Sequence, residues 1–112
     1  MSELIKNIEH ETIVTIKDLI DYQEGSVASL TMAKRQAAAM TLMAFDAGEG
    51  VSTHAAPGDA FVNVLEGEAH ITIADKSYVV KAGEGIVMPS GVPHSVKAKD
   101  RFKMLLTVVK EQ

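Results

Sequence analysis

The sequence predicts an all-β fold, an antiparallel barrel or sandwich formed by one domain. Three observations carry that expectation. From about residue 26 onward, apolar and polar residues alternate with a period of two, the repeat of a strand that buries one face. Turn-forming residues interrupt the alternation at short, even intervals: Asp46 to Gly50, Pro57-Gly58, Glu66-Gly67, Asp75-Lys76, Gly83 to Gly85 and Ser90-Gly91. Helical spacing is confined to "IKDLIDY", with Ile16, Leu19 and Ile20 at i, i+3 and i+4 ahead of Gly25. Many short strands and at most one short helix near the N-terminus describe an antiparallel β architecture.

The elements follow in order. "SVASLTMA" carries Val27, Leu30 and Met32 in an irregular strand pattern. "AAAMTLMAF" places Met40, Leu42 and Ala44 on one face and Thr41, Met43 and Phe45 on the other, so this strand is expected to be covered on both sides. With Met40 and Leu42 facing the barrel interior, Met43 and Phe45 need cover that one small barrel does not supply. Phe61 and Leu65 make the same demand, and a homodimer is the expected answer. "AFVNVL", "AHITIA", "SYVVKA", "GIVMP", "HSVKA" and "FKMLLTVV" read as the remaining strands.

A chain of 112 residues is the size of a single domain, here 1–112, and 46% hydrophobic with 23% charged residues is a globular balance. The net charge of −4 gives no footprint for nucleic acid or an anionic membrane. Lys97, Lys99, Arg101 and Lys103 read as the solvated face of a strand. The absence of cysteine excludes disulfides, thiolate metal sites and thiol catalysis. The first ten residues are charged and lack an apolar signal core, and no apolar run is long enough to span a bilayer, so a cytoplasmic protein is expected. Aromatic residues are 4% against six methionines, a core in which flexible Met side chains fill gaps or line adaptable pockets.

The chemistry falls to the histidines. His54 follows the glycine-rich turn "DAGEG" and is expected at the start of a strand; His94 follows "MPSGVP". Turns of this kind fix backbone direction and present a side chain at a strand end. His10 is expected to be exposed, and His70 to face away from the interior side of Ile71 and Ile73.

Gly48, five residues, His54, and then the run from Ala60 to Gly67 resemble the first motif of the cupin superfamily. "GEGIVMPSGVPH" resembles the second, with Gly83, Pro89, Gly91 and His94 at the expected offsets. The two motifs, about 48–67 and 83–98, and their flanking strands extend the resemblance over most of the chain. It implies a small, single-domain, RmlC-like jelly-roll barrel, often homodimeric. Many cupins hold Mn, Fe, Ni, Zn or Cu between two motif-1 histidines, a motif-1 glutamate and the motif-2 histidine.

Carried over residue by residue, His54 matches the first histidine and His94 the last. Ala56 and Ala60 stand where the second histidine and the glutamate belong, and Ala98 where an asparagine often closes motif 2. Asp59 is out of phase in a regular strand, but a bulge at Pro57-Gly58 would re-aim it into a two-histidine, one-carboxylate set. Without it, the histidine pair would hold a divalent transition metal (Zn, Ni, Mn or Fe) weakly or not at all, because zinc sites generally use three or more protein ligands. Met40, Leu42, Val62, Val64, Met88 and Met104 are the expected cavity lining. The resulting expectation is a small-molecule-binding barrel with an incomplete metal site. The alternatives are a metal-dependent enzyme of dioxygenase or isomerase type using His54, His94 and Asp59, and a structural or regulatory homodimer with a packed interior.

Overall fold

A computed structural model describes residues 3–111. Its strands are β1 (Val27–Lys34), β2 (Ala38–Phe45), β3 (Gly50–His54), β4 (Asp59–Glu66), β5 (Glu68–Ile73), β6 (Lys76–Lys81), β7 (Gly85–Met88), β8 (His94–Lys97) and β9 (Phe102–Val109). The stretch with helical spacing forms a single 3₁₀ turn, Ile16–Leu19. Every strand pairing is antiparallel, in a five-stranded sheet of order β1-β2-β9-β4-β7 and a four-stranded sheet of order β3-β8-β5-β6. No helix among the described residues is long and apolar enough to cross a membrane.

The two sheets face each other across one apolar core, as strand alternation dictates. Ala60, Val62 and Val64 of β4, with Phe102 and Met104 of β9, meet Ala69 and Ile71 of β5 and Val96 of β8. Phe45 and Phe102 are register partners on β2 and β9. Their rings stack 4.4 Å apart at 12° and are wholly buried. The turn from β4 to β5 requires Gly67: its φ is +74°, and a Cβ there would lie 2.4 Å from the Arg101 carbonyl oxygen.

A second apolar cluster lies on the outer side of the five-stranded sheet. Here the face of β2 expected to line the interior turns outward: Met40, Leu42 and Ala44 pack with Ala28, Met32 and Ile20, while Met43 and Phe45 join the core between the sheets. Period-two alternation does not choose between two apolar faces, and the N-terminal segment makes the choice by covering the outer one. Ile8, Leu19 and Tyr22 lie over the sheet there. Burial of Ile20 alone stabilises this arrangement by about 1.5–3 kcal/mol. Met43 and Phe45 therefore need no second copy of the chain, and Leu65 also packs into the outer cluster.

Polar contacts pin the covering segment. The Lys6 amide donates to the Met32 carbonyl (2.6 Å), and the Asn7 side-chain amide to that of Thr31 (2.6 Å). Lys103 is 6% exposed, not a solvated residue as the basic cluster suggested. Alternation turns it out of the barrel but beneath the N-terminal segment, where its Nζ donates to the Lys17 carbonyl (2.6 Å) and lies 5.0 Å from the centre of the Tyr22 ring. The Tyr22 hydroxyl donates to Glu66 Oε2 (2.5 Å); burial, reinforced by this bond, pushes its pKa well above the usual phenol range.

Candidate functional site

The site lies at one end of the four-stranded sheet, where β3 ends and β8 begins. His54 is the last residue of β3, not the start of a strand, and His94 is the first of β8. They are cross-strand partners, and the register shifts between Val51 and His54. A local irregularity of this kind re-aims the side chain that follows it. The imidazoles meet edge to face, with ring centres 4.5 Å apart and planes at 68°. Forty residues of sequence separation thus close into direct contact.

Both rings are oriented by the same device. Nδ1 of His54 lies 3.0 Å from the Ser52 carbonyl oxygen, and Nδ1 of His94 lies 3.1 Å from that of Val92. A carbonyl only accepts, so each Nδ1 carries the proton and donates it. In the neutral ring, Nε2 is then the free lone-pair nitrogen, the arrangement seen in metal-binding histidines and equally suited to accepting a hydrogen bond. The two residues differ in access. His54 is exposed, whereas His94 is only 7% exposed.

The loops beside the pair are stitched together. The Gly91 amide donates to the Ala56 carbonyl (3.0 Å) and the Gly58 amide to Ser90 Oγ (2.9 Å). The Ser90 amide donates to Asp59 Oδ1 (2.9 Å). Gly91, with φ +73°, supplies the left-handed turn that leads into His94. The last of these bonds engages Asp59. It opens β4 with Ala60 facing inward, so alternation turns Asp59 outward to a surface groove shared with Pro57, Ser90 and Lys110. The bulge that would bring its carboxylate to the histidines does not form, and the two-histidine, one-carboxylate set is not assembled.

A cavity of about 190 Å³ opens beside the imidazoles. His54 and His94 line it with Ala56 and Ala60, so the two motif positions that carry alanine are in the wall. Met88 and Met104 line it as expected from their strands. Val62 and Val64 point into the same core but are fully buried and do not reach the cavity. Met40 and Leu42 lie on the far side of the sheet, and Met43 takes their place. Val51, Val96, Leu106 and Val108 add to the apolar lining. Of these, Val96 was legible as two residues beyond His94 on one strand face, and Leu106 and Val108 as the continuation of Met104. Val51 carried no such signal, because "GEGVSTH" has too little alternation to mark β3.

A cupin metal centre uses four side chains, and this wall offers two imidazole nitrogens among methyl and thioether groups. Among the described residues, no three His, Cys, Asp or Glu side chains are grouped to hold a metal ion. The donor set does not fit the four-ligand centre.

Comparison with known proteins agrees with this architecture. The cupin domain model matches residues 41–110. A conserved protein of unknown function from Streptococcus pyogenes is 38% identical, covering 99% of this chain and 97% of that one with a TM-score of 0.96. A cupin superfamily protein from Desulfitobacterium hafniense is 30% identical over 96% of this chain and 98% of its own, with a TM-score of 0.91. Salicylate 1,2-dioxygenase from Pseudoaminobacter salicylatoxidans shares the fold alone, at 19% identity over 74% of this chain and 26% of its own, with a TM-score of 0.68. No curated protein matches the sequence. The paired motifs, the two facing antiparallel sheets and the match over residues 41–110 make this chain a member of the cupin family.

Proposed function

We propose that the protein binds a small, largely apolar molecule in the cavity beside His54 and His94. One observation carries the reading: the cavity of about 190 Å³ has apolar walls and two convergent polar groups, both imidazoles held by backbone carbonyls. A barrel whose interior served only as packing would have no use for that opening. The volume suits one ring, since an apolar cavity of roughly 150 Å³ accommodates benzene.

The test is a benzene titration read by thermal denaturation, with elemental analysis of the same preparation made without added metal. The expected result is a benzene-dependent rise in Tm that Ala60→Leu, which fills the cavity, abolishes, with far less than one metal per chain. A metal-dependent enzyme is the second reading, favoured by the carbonyl-bound Nδ1 atoms that leave both Nε2 atoms free. About one Zn, Ni, Mn or Fe per chain, lost in the His54→Ala, His94→Ala double variant, would put that reading in place of the first.

The same proposal includes a homodimer, for a different reason from the β2 faces. Phe61 and Val87 are register partners on β4 and β7, and with Val109 of β9 they remain 45%, 47% and 59% exposed on the outer side of the five-stranded sheet. Light scattering at micromolar concentration should give twice the monomer mass, and Phe61→Asp should halve it. A monomeric wild-type protein refutes the dimer without touching the cavity.

A further inference from the structure

We infer that the cavity selects a single aromatic ring carrying one hydroxyl group, a small phenol, which donates its hydrogen bond to Nε2 of His94. The inference rests on the small-molecule-binding reading above and adds the chemical class of the ligand. Size comes first. The cavity exceeds a benzene-binding volume by ~40 Å³, close to the roughly 30 Å³ share of one water molecule in the liquid. That gives room within the cavity itself for a ring and about one further heavy atom.

The lining favours an aromatic ring over an aliphatic one. Met43, Met88 and Met104 all reach the cavity. Thioether sulfur makes favourable contacts with aromatic rings, and the unbranched side chains adapt to a flat guest.

Polarity selects the substituent. Among the described residues no buried side-chain nitrogen or oxygen is left without a partner. Nε2 of His94 has no protein hydrogen bond, so it keeps some solvent access, and its residue lines the cavity. With Nδ1 committed as a donor to the Val92 carbonyl, the neutral ring offers an acceptor and nothing else. A guest that bonds to Nε2 must therefore supply a donor. A hydroxyl does so; a carboxylate, which only accepts, does not. His54 makes no second demand on the guest, because its exposed ring can meet water.

The test is calorimetric titration with phenol, toluene and benzoate at pH 8 in the presence of a chelator. Toluene has the shape of phenol without the donor, and losing one neutral hydrogen bond is worth about three- to tenfold in affinity. Phenol is expected to bind about three- to tenfold more tightly than toluene, with benzoate weakest. Nitrogen NMR of the imidazoles should show the His94 Nε2 resonance shifting with phenol and not with toluene. His94→Leu should bring phenol and toluene to equal affinity; should that variant not fold, the wild-type NMR shift decides. Equal or tighter binding of toluene, or an unshifted Nε2 resonance with phenol bound, overturns the phenol inference while the binding barrel stands. Failure of all three probes, and of benzene, at millimolar concentration overturns both.

Discussion

If Ala56 stands at a vacated ligand position, restoring the histidine should restore metal affinity. Ala56 is exposed, in the loop after β3, and lines the cavity with both imidazoles. Ala56→His should therefore fold with a stability change within about 0.5 kcal/mol. It raises the donor set from two imidazoles to three, the usual minimum for a zinc site. Outer-shell partners alone carry about ten- to hundredfold in metal affinity. A first-shell ligand is worth at least as much, taken here as a hundredfold. With a dissociation constant of about 1 μM in the variant, roughly 100 μM zinc stabilises it by about 2.7 kcal/mol; the wild type, a hundredfold weaker, gains about 0.4 kcal/mol. In a domain of this size the difference separates a Tm rise on the order of 10 °C from one of about 2 °C. The assay is thermal denaturation with and without zinc, with His54→Ala in the Ala56→His background as the control that should cancel the gain. Equal shifts in wild type and variant, or a gain that survives His54→Ala, refute the reasoning.

Phe45→Leu and Phe102→Leu should each cost about 1–1.5 kcal/mol, and the double variant less than their sum by about 0.5–1.5 kcal/mol, because the first replacement already removes the stacked pair. Urea denaturation followed by circular dichroism measures this, and additive losses would count against a stacking contribution. Asp46 accepts hydrogen bonds from the Gly25 amide, Arg101 Nε and the Ala47 amide, which lower its pKa from the ordinary 3.8 to about 2. A depressed carboxylate stabilises the fold above its ordinary pKa and loses that contribution as pH falls toward 2. Asp46→Asn should thus be less stable than wild type near neutrality, with the gap closing between about pH 4 and 2 in a pH series of Tm values. Gly67→Ala should destabilise by about 2 kcal/mol or more, since it adds the left-handed strain of about 1–2 kcal/mol to a clash with the Arg101 carbonyl. An unchanged denaturation midpoint would show that the β4–β5 turn relaxes freely.

Eight of the nine strands were legible, β3 being the exception, because alternation and turn residues mark them: in β4, Asp59, Phe61, Asn63 and Leu65 turn away while Ala60, Val62 and Val64 turn in. β2 was legible as a strand but not as to its facing, because Met40 and Leu42 are as apolar as Met43 and Phe45. What decides it is the covering segment around Ile8, Leu19 and Tyr22, a tertiary fact with no local signature. Lys103 failed for the same reason, reading as surface until that segment lies over it. At the site, motif spacing singled out His54 and His94, and the fold brings their rings to 4.5 Å. The fate of Asp59 depended on a hydrogen bond from Ser90, thirty-one residues away, which no pattern within either loop announces.

If the cavity takes the proposed guest, the unequal exposure of the two imidazoles divides its passage into stages. His54 is exposed and His94 is buried, 7% exposed. A molecule coming from solvent would then meet the first before it engages the second. Substitutions at His54 should then act mainly on the rate of arrival, and those at His94 on residence time. One pair of facing residues would thereby set the speed and the duration of occupancy independently.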